Sequence, residues 1–175
     1  MQSLKKIVIN GLIFLGLSFG ISVPASSSPL SNDEIREAMQ IIDKENEKSA
    51  EQGNLEAQSN LATEYYNGWG RAKDYHKAFM WFQESANQGD ASAQYALGLM
   101  YRKGQGVRQD YAKAIKWYEK AANQGNIEAQ NNLGTMHYHG FGVSKSLTKA
   151  KKWYGIACDN GSQKGCDNYR ILNQK

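Results

Sequence analysis

ANQGDASAQYALGLMYRKGQG, residues 86–106, returns thirty-six residues later as ANQGNIEAQNNLGTMHYHGFG, residues 122–142. The same interval upstream holds AEQGNLEAQSNLATEYYNGWG at 50–70, and downstream CDNGSQKGCDNYRIL at 158–172. No insertion or deletion breaks the register. A fixed period of this length marks a repeat architecture, in which one supersecondary unit buries its apolar face against the next copy.

Within the central unit, Ala93, Leu97, Gly98 and Tyr101 make one helical stripe that stops at the glycines Gly104 and Gly106. A second stripe, Ala114, Trp117, Tyr118 and Ala121, follows at helical spacing and closes at Gly125, as its counterparts close at Gly89 and Gly161. Asn54, Asp90 and Asn126 stand where N-caps of first helices belong, and Asp110 where that of a second helix belongs. Each unit therefore reads as a helical hairpin, and the fold class as an all-α superhelical solenoid. The small residues Ala62, Gly98 and Gly134 are expected to admit the rings of Trp81, Trp117 and Trp153.

The ends follow the same logic. Residues 1–25 carry Lys5 and Lys6, an apolar run from Ile7 to Ile21 and the exit Val23-Pro24-Ala25, the pattern of a secretory signal peptide cleaved before Ser26. The expected plan is then a linker and capping helix over 26–49, repeats at 50–85, 86–121 and 122–157, and a half repeat at 158–175. The capping helix opens with a Ser31-x-x-Glu34 capping box and carries Ile35, Ala38, Met39 and Ile42 on one face. The half repeat is expected to turn Cys166, Tyr169 and Leu172 inward. The formal charge of +4 falls by two when Lys5 and Lys6 leave with the signal, and no clustered basic face asks for nucleic acid. The membrane is expected to be met only through the signal, and the exported chain to be a periplasmic monomer.

The string LGxMYxxGxGVxxDYxKAxxWYxKAAxQG over residues 97–125 resembles the Sel-1-like repeat (SLR) family, and the likeness extends over 50–161 and a further half repeat. Departures are Ala62 for the first-helix glycine, Arg71 for valine, and His137, Ser146 and Leu147 for Tyr, Asp and Tyr in the third copy. The resemblance implies an α/α superhelix related to tetratricopeptide arrays and a role in binding proteins or peptides. The last unit resembles a cysteine-rich branch, which implies a disulfide between Cys158 and Cys166. An exported chain favours that oxidised state.

Candidate functional residues follow from the columns that lie between the packing stripes of the first helices and vary between copies. They are Ser59, Thr63, Tyr66 and Asn67; Tyr95, Leu99, Arg102 and Lys103; Asn131, Thr135, Tyr138 and His139. Tyr66, Asn67, Tyr95, Arg102, Lys103, Tyr138 and His139 are the expected binding set on the concave face, since Tyr and Arg favour binding hot spots. The Arg102–Lys103 pair suggests an acidic partner, and peptidoglycan competes with a protein as its source.

Sharper motifs dissolve against the period. Gly68-Trp69-Gly70 and its two copies are turn chemistry rather than a phosphate cradle. His137-x-His139 lacks the spacing of helical ligand pairs, and His137 sits in the phase of the packing residues Tyr65 and Tyr101. No metal and no cofactor are expected. The rival function is an enzyme of the β-lactamase or penicillin-binding kind, which some cysteine-rich relatives suggest. Ser146-x-x-Lys149 fits its letters, yet both residues repeat positions of the other copies, Ser146 as an N-cap and Lys149 in the phase of Lys77 and Lys113.

Overall fold

The computed structural model describes residues 31–174, the side chain of Glu34 excepted. The signal peptide, its cleavage point and the carboxylate of the capping box lie outside the described residues. These residues form eight helices, with no strand among them. They are α1 (Asn32–Glu51), α2 (Leu55–Asn67), α3 (Tyr75–Asn87), α4 (Ala91–Lys103), α5 (Tyr111–Asn123), α6 (Ile127–His139), α7 (Leu147–Asp159) and α8 (Gln163–Asn173). None of them is long and apolar enough to cross a membrane.

The chain divides into two units, residues 1–48 and 49–175. The described part of the first is most of α1, whose Ile35, Met39 and Ile42 are exposed by 43%, 57% and 50%. The second unit is the hairpin array, with α2/α3, α4/α5 and α6/α7 as hairpins and α8 as the lone first helix of a fourth.

Local chemistry explains the helix limits. Asn54, Asp90 and Asn126 accept from the backbone N–H of Ala57, Ser92 and Ala129 at 2.8–2.9 Å. Asp74, Asp110 and Ser146 cap the second helices in the same way. First helices end on Gly68, Gly104 and Gly140 in the left-handed region, which glycine enters without a Cβ penalty. Gly106 has a second reason to be glycine: a Cβ there would lie 2.1 Å from the carbonyl oxygen of Tyr75 in the preceding hairpin.

The core is two buried clusters. One joins Ala62, Ala78, Phe82, Ala86, Ala93, Leu97 and Met100; the other joins Ala114, Ile115, Tyr118, Ala121, Ala122, Ala129, Leu133 and Met136. In the gaps at Gly98 and Gly134 the ring is not the tryptophan expected from the sequence. An added Cβ on Gly98 would meet the Tyr118 ring at 2.5 Å, and one on Gly134 the Tyr154 ring at 2.5 Å. Neighbouring helical positions point about 100° apart, and the hairpin crossing aims the second of the two rings inward. Trp117 is half-buried against the cluster drawn from α2, α3 and α4, and Trp153 against the one drawn from α5 and α6.

A polar clasp repeats with the apolar core. Gln58, Gln94 and Gln130 each donate through Nε2 to the backbone carbonyl eight residues back, of Ala50, Ala86 and Ala122, at 3.0–3.1 Å. The amide oxygen of each then accepts from Gln88, Gln124 or Asn160 at 2.7–3.0 Å. These three glutamines are buried, and the ladder satisfies both ends of their amides. In the fourth unit the clasp positions are held by Cys158 and Cys166, which form a disulfide across the same separation of eight. A covalent link stands where the other junctions use a hydrogen bond. Tyr169 is not turned fully inward as expected: it is 36% exposed and rests over Gly155.

A candidate binding surface on the first helices

The binding residues expected from the sequence fall into two groups. Tyr66, Tyr95 and Arg102 come together over the central hairpin with the buried Tyr118. Tyr66 donates from its hydroxyl to Gln105 Oε1 at 2.9 Å, which ties the first hairpin to the turn of the second. Its ring meets Tyr75 and Phe82 edge-on at 5.3 and 6.3 Å, while Tyr95 lies 5.9 Å from Tyr118.

The guanidinium of Arg102 stands among the hydroxyls of Tyr66, Tyr95 and Tyr118 and favours the ionised form of each. Burial outweighs it. Desolvation pushes all three phenols above the usual range, Tyr118 furthest, so all stay neutral donors at physiological pH. Arg102 makes no ion pair among the described residues, in contrast to Arg71, held by Glu64 at 2.8 Å. Arg102 Nε and the Tyr118 hydroxyl are buried without a hydrogen bond of good geometry. Arg102 is therefore half-buried and part of the packing, rather than the freely outward residue its phase suggested.

Lys103 is exposed and Asn67 half-buried at the ends of α4 and α2. Asn131 departs from the expected reading surface altogether. It is buried, and its Nδ2 donates to Ser162 Oγ at 2.8 Å and to the Ile127 carbonyl at 3.2 Å, which docks α8 on α6.

The second group lies at the C-terminal end. The Tyr138 ring meets His139 edge-on at 4.9 Å, and His139 stacks on Phe141 at 5.1 Å, which in turn stacks on Tyr111 at 5.3 Å. Tyr138 and His139 line a cavity of about 330 Å³ with Thr135, Tyr154, Lys164, Asn168, Ile171 and Leu172. The half of that lining on α8 was missed from the sequence. One further period would have found part of it, since Ile171 continues the column Thr63, Leu99, Thr135.

The remaining candidates are structural. His137 is buried, and burial first, then Lys149, holds its imidazole below the usual range, with Glu119 opposing. No group of three metal-ligating side chains occurs among the described residues. The Ser146 hydroxyl accepts from the Lys149 backbone N–H at 3.3 Å as the cap of α7.

The family model of the Sel1 repeat matches residues 55–90, 91–126 and 127–162. Its frame starts five residues after the one read from the sequence, with the same period. Among solved structures the chain is similar to a protective antigen present in uropathogenic Escherichia coli strains and displaying an SLR fold. That likeness has 36% identity and a TM-score of 0.69 over 74% of this chain and 27% of that one. A Sel1 repeat protein from Oxalobacter formigenes matches at 29% identity and a TM-score of 0.68, over 77% and 61% of the two chains. Helicobacter pylori cysteine rich protein B shares the fold, at 23% identity and a TM-score of 0.57 over 72% of this chain and 96% of that one. The chain thus spans less than two thirds of the first two relatives. No curated protein matches it.

Proposed function

The chain belongs to the Sel1 repeat family, and on that premise we propose that it is a non-catalytic scaffold holding a protein or peptide along the concave face of its first helices. The observation that carries this reading is Arg102. A half-buried guanidinium without a carboxylate partner among the described residues, set among neutral tyrosine hydroxyls, suits an acidic group brought by another molecule. Tyr66 and Tyr95 supply ring area around it, Tyr138 and His139 form the second aromatic group toward the C-terminal end, and Asn67 and Lys103 stand at the ends of α2 and α4. The Cys158–Cys166 disulfide and the signal-like residues 1–25 support export, and we read the periplasm as the compartment.

The test is cross-linking capture from the native envelope with the wild type and with Arg102→Gln/Lys103→Gln, which removes both charges and keeps a polar side chain at each position. Loss of a discrete protein partner in the variant, with unchanged helicity, is the expected result. Equal retention by both forms overturns the assignment. Purified peptidoglycan in the same assay separates a glycan from a protein partner. Nitrocefin turnover that vanishes in Ser146→Ala would establish the enzyme instead.

A further inference from the structure

The cavity beneath α8 has chemistry unlike the tyrosine–arginine cluster of the central hairpin. Its apolar walls are the rings of Tyr138 and Tyr154 with Ile171 and Leu172, and Ile171 is 51% exposed at its rim. The Thr135 and Tyr154 hydroxyls bond each other at 3.1 Å, so that part of the polar lining is internally satisfied.

Other polar heads of the lining are not. The Lys164 ammonium and the Asn168 amide line the cavity with no hydrogen bond or ion pair among the described residues. The nearby carboxylate of α8, Asp167, is occupied by Gln163 Nε2 at 3.0 Å and Arg170 at 3.4 Å. Among the described residues no acidic side chain lines the cavity, and the exposed Lys164 brings its positive charge to the rim.

We propose that this cavity receives the last residue of a peptide: an apolar side chain against Ile171, Leu172 and the tyrosine rings, and a free carboxylate on Lys164. The Asn168 amide is then available to the peptide's final amide group. At about 330 Å³ the space sits at the low end of ligand pockets, which run from about 300 to 1,000 Å³, and suits one residue rather than a longer segment. An internal acidic side chain would have to bring its charge and an apolar neighbour into that one space from two different residues. A chain end carries both on one.

The inference rests on the proposed function only in taking the first-helix face as the partner's side. Arg102 and the tyrosine cluster play no part in it. The test is a titration of the ¹⁵N-labelled chain with N-acetylphenylalanine and, separately, N-acetylphenylalanine amide, followed through the backbone resonances of Tyr138, Asn168 and Leu172. The acid is expected to bind about tenfold tighter than the amide, the scale of one charge-assisted hydrogen bond. Lys164→Gln is expected to bring the acid down to the level of the amide. Equal binding of acid and amide by the wild type, or no shift with either, overturns the proposal. Acid binding here alongside unchanged capture by Arg102→Gln/Lys103→Gln would reject the central site and keep this one.

Discussion

Replacing Cys158 by Ala and Cys166 by Gln converts the last junction into the clasp used by the other three. The disulfide closes a separation of eight residues, for which the chain-entropy relation gives about 2.5 kcal/mol. Cys158→Ala/Cys166→Ala removes that term and supplies no side-chain donor in its place. The Ala/Gln pair places an Nε2 donor opposite the backbone carbonyl at position 158, in the geometry of Gln130 on Ala122 at 3.1 Å. A net hydrogen bond returns about 1 kcal/mol.

Because α8 packs chiefly on α7 among the described helices, the loss should appear as local opening rather than global unfolding. Amide exchange over residues 165–172 should speed up about 70-fold in the Ala/Ala variant, the rate equivalent of 2.5 kcal/mol. It should recover about fivefold in the Ala/Gln variant, while exchange at Ala93 and Leu97 stays unchanged. Native-state hydrogen exchange resolved by NMR reads all three at once. If Ala/Gln exchanges as fast as Ala/Ala, the disulfide is no substitute for the clasp, and the equivalence of the four junctions is wrong.

Two further outcomes follow from the packing. Gly98→Ala should destabilise the array, because overpacking of about 1–3 kcal/mol against the enclosed Tyr118 ring exceeds the gain of up to about 1 kcal/mol in helix propensity. Gly155→Ala, whose Cβ would meet only the exposed and movable ring of Tyr169 at 3.2 Å, should stabilise; equal signs in urea denaturation would refute this account of the gap. His137 is held neutral by burial, so its folded pKa lies below the unfolded value of about 6.5 and the unfolded chain binds more protons in that window. Its share of stability is complete above about pH 6.5 and lost as the pH falls toward the folded pKa, and His137→Tyr should flatten that acid limb when urea midpoints at pH 7.5 and 5 are compared.

Short-range features were legible in the sequence. The period, the hairpin count, the N-caps at Asn54, Asp90, Asp110 and Asn126, and the turn glycines depend on groups a few residues apart, and the backbone satisfies them locally. The disulfide entered through family resemblance, and its reason became visible only beside the glutamine clasps.

Choices between neighbouring residues were left to the tertiary structure. A stripe read from spacing defines a helix face to within about one residue, roughly 100° of rotation. That margin separates Tyr118 from Trp117, and it separates the buried Asn131 from a reading surface. Arg102 shows the same limit: its phase marks it as outward, while its Nε is buried and its guanidinium acts on the phenols of Tyr66, Tyr95 and Tyr118 from three helices. The cavity beneath α8 is lined from α6, α7 and α8 together, so no single repeat could announce it. Periodicity is carried by each residue's own neighbours along the chain, whereas burial depends on the crossing of helices whose contacting residues lie 20 or more apart, as Gly98 and Tyr118 do.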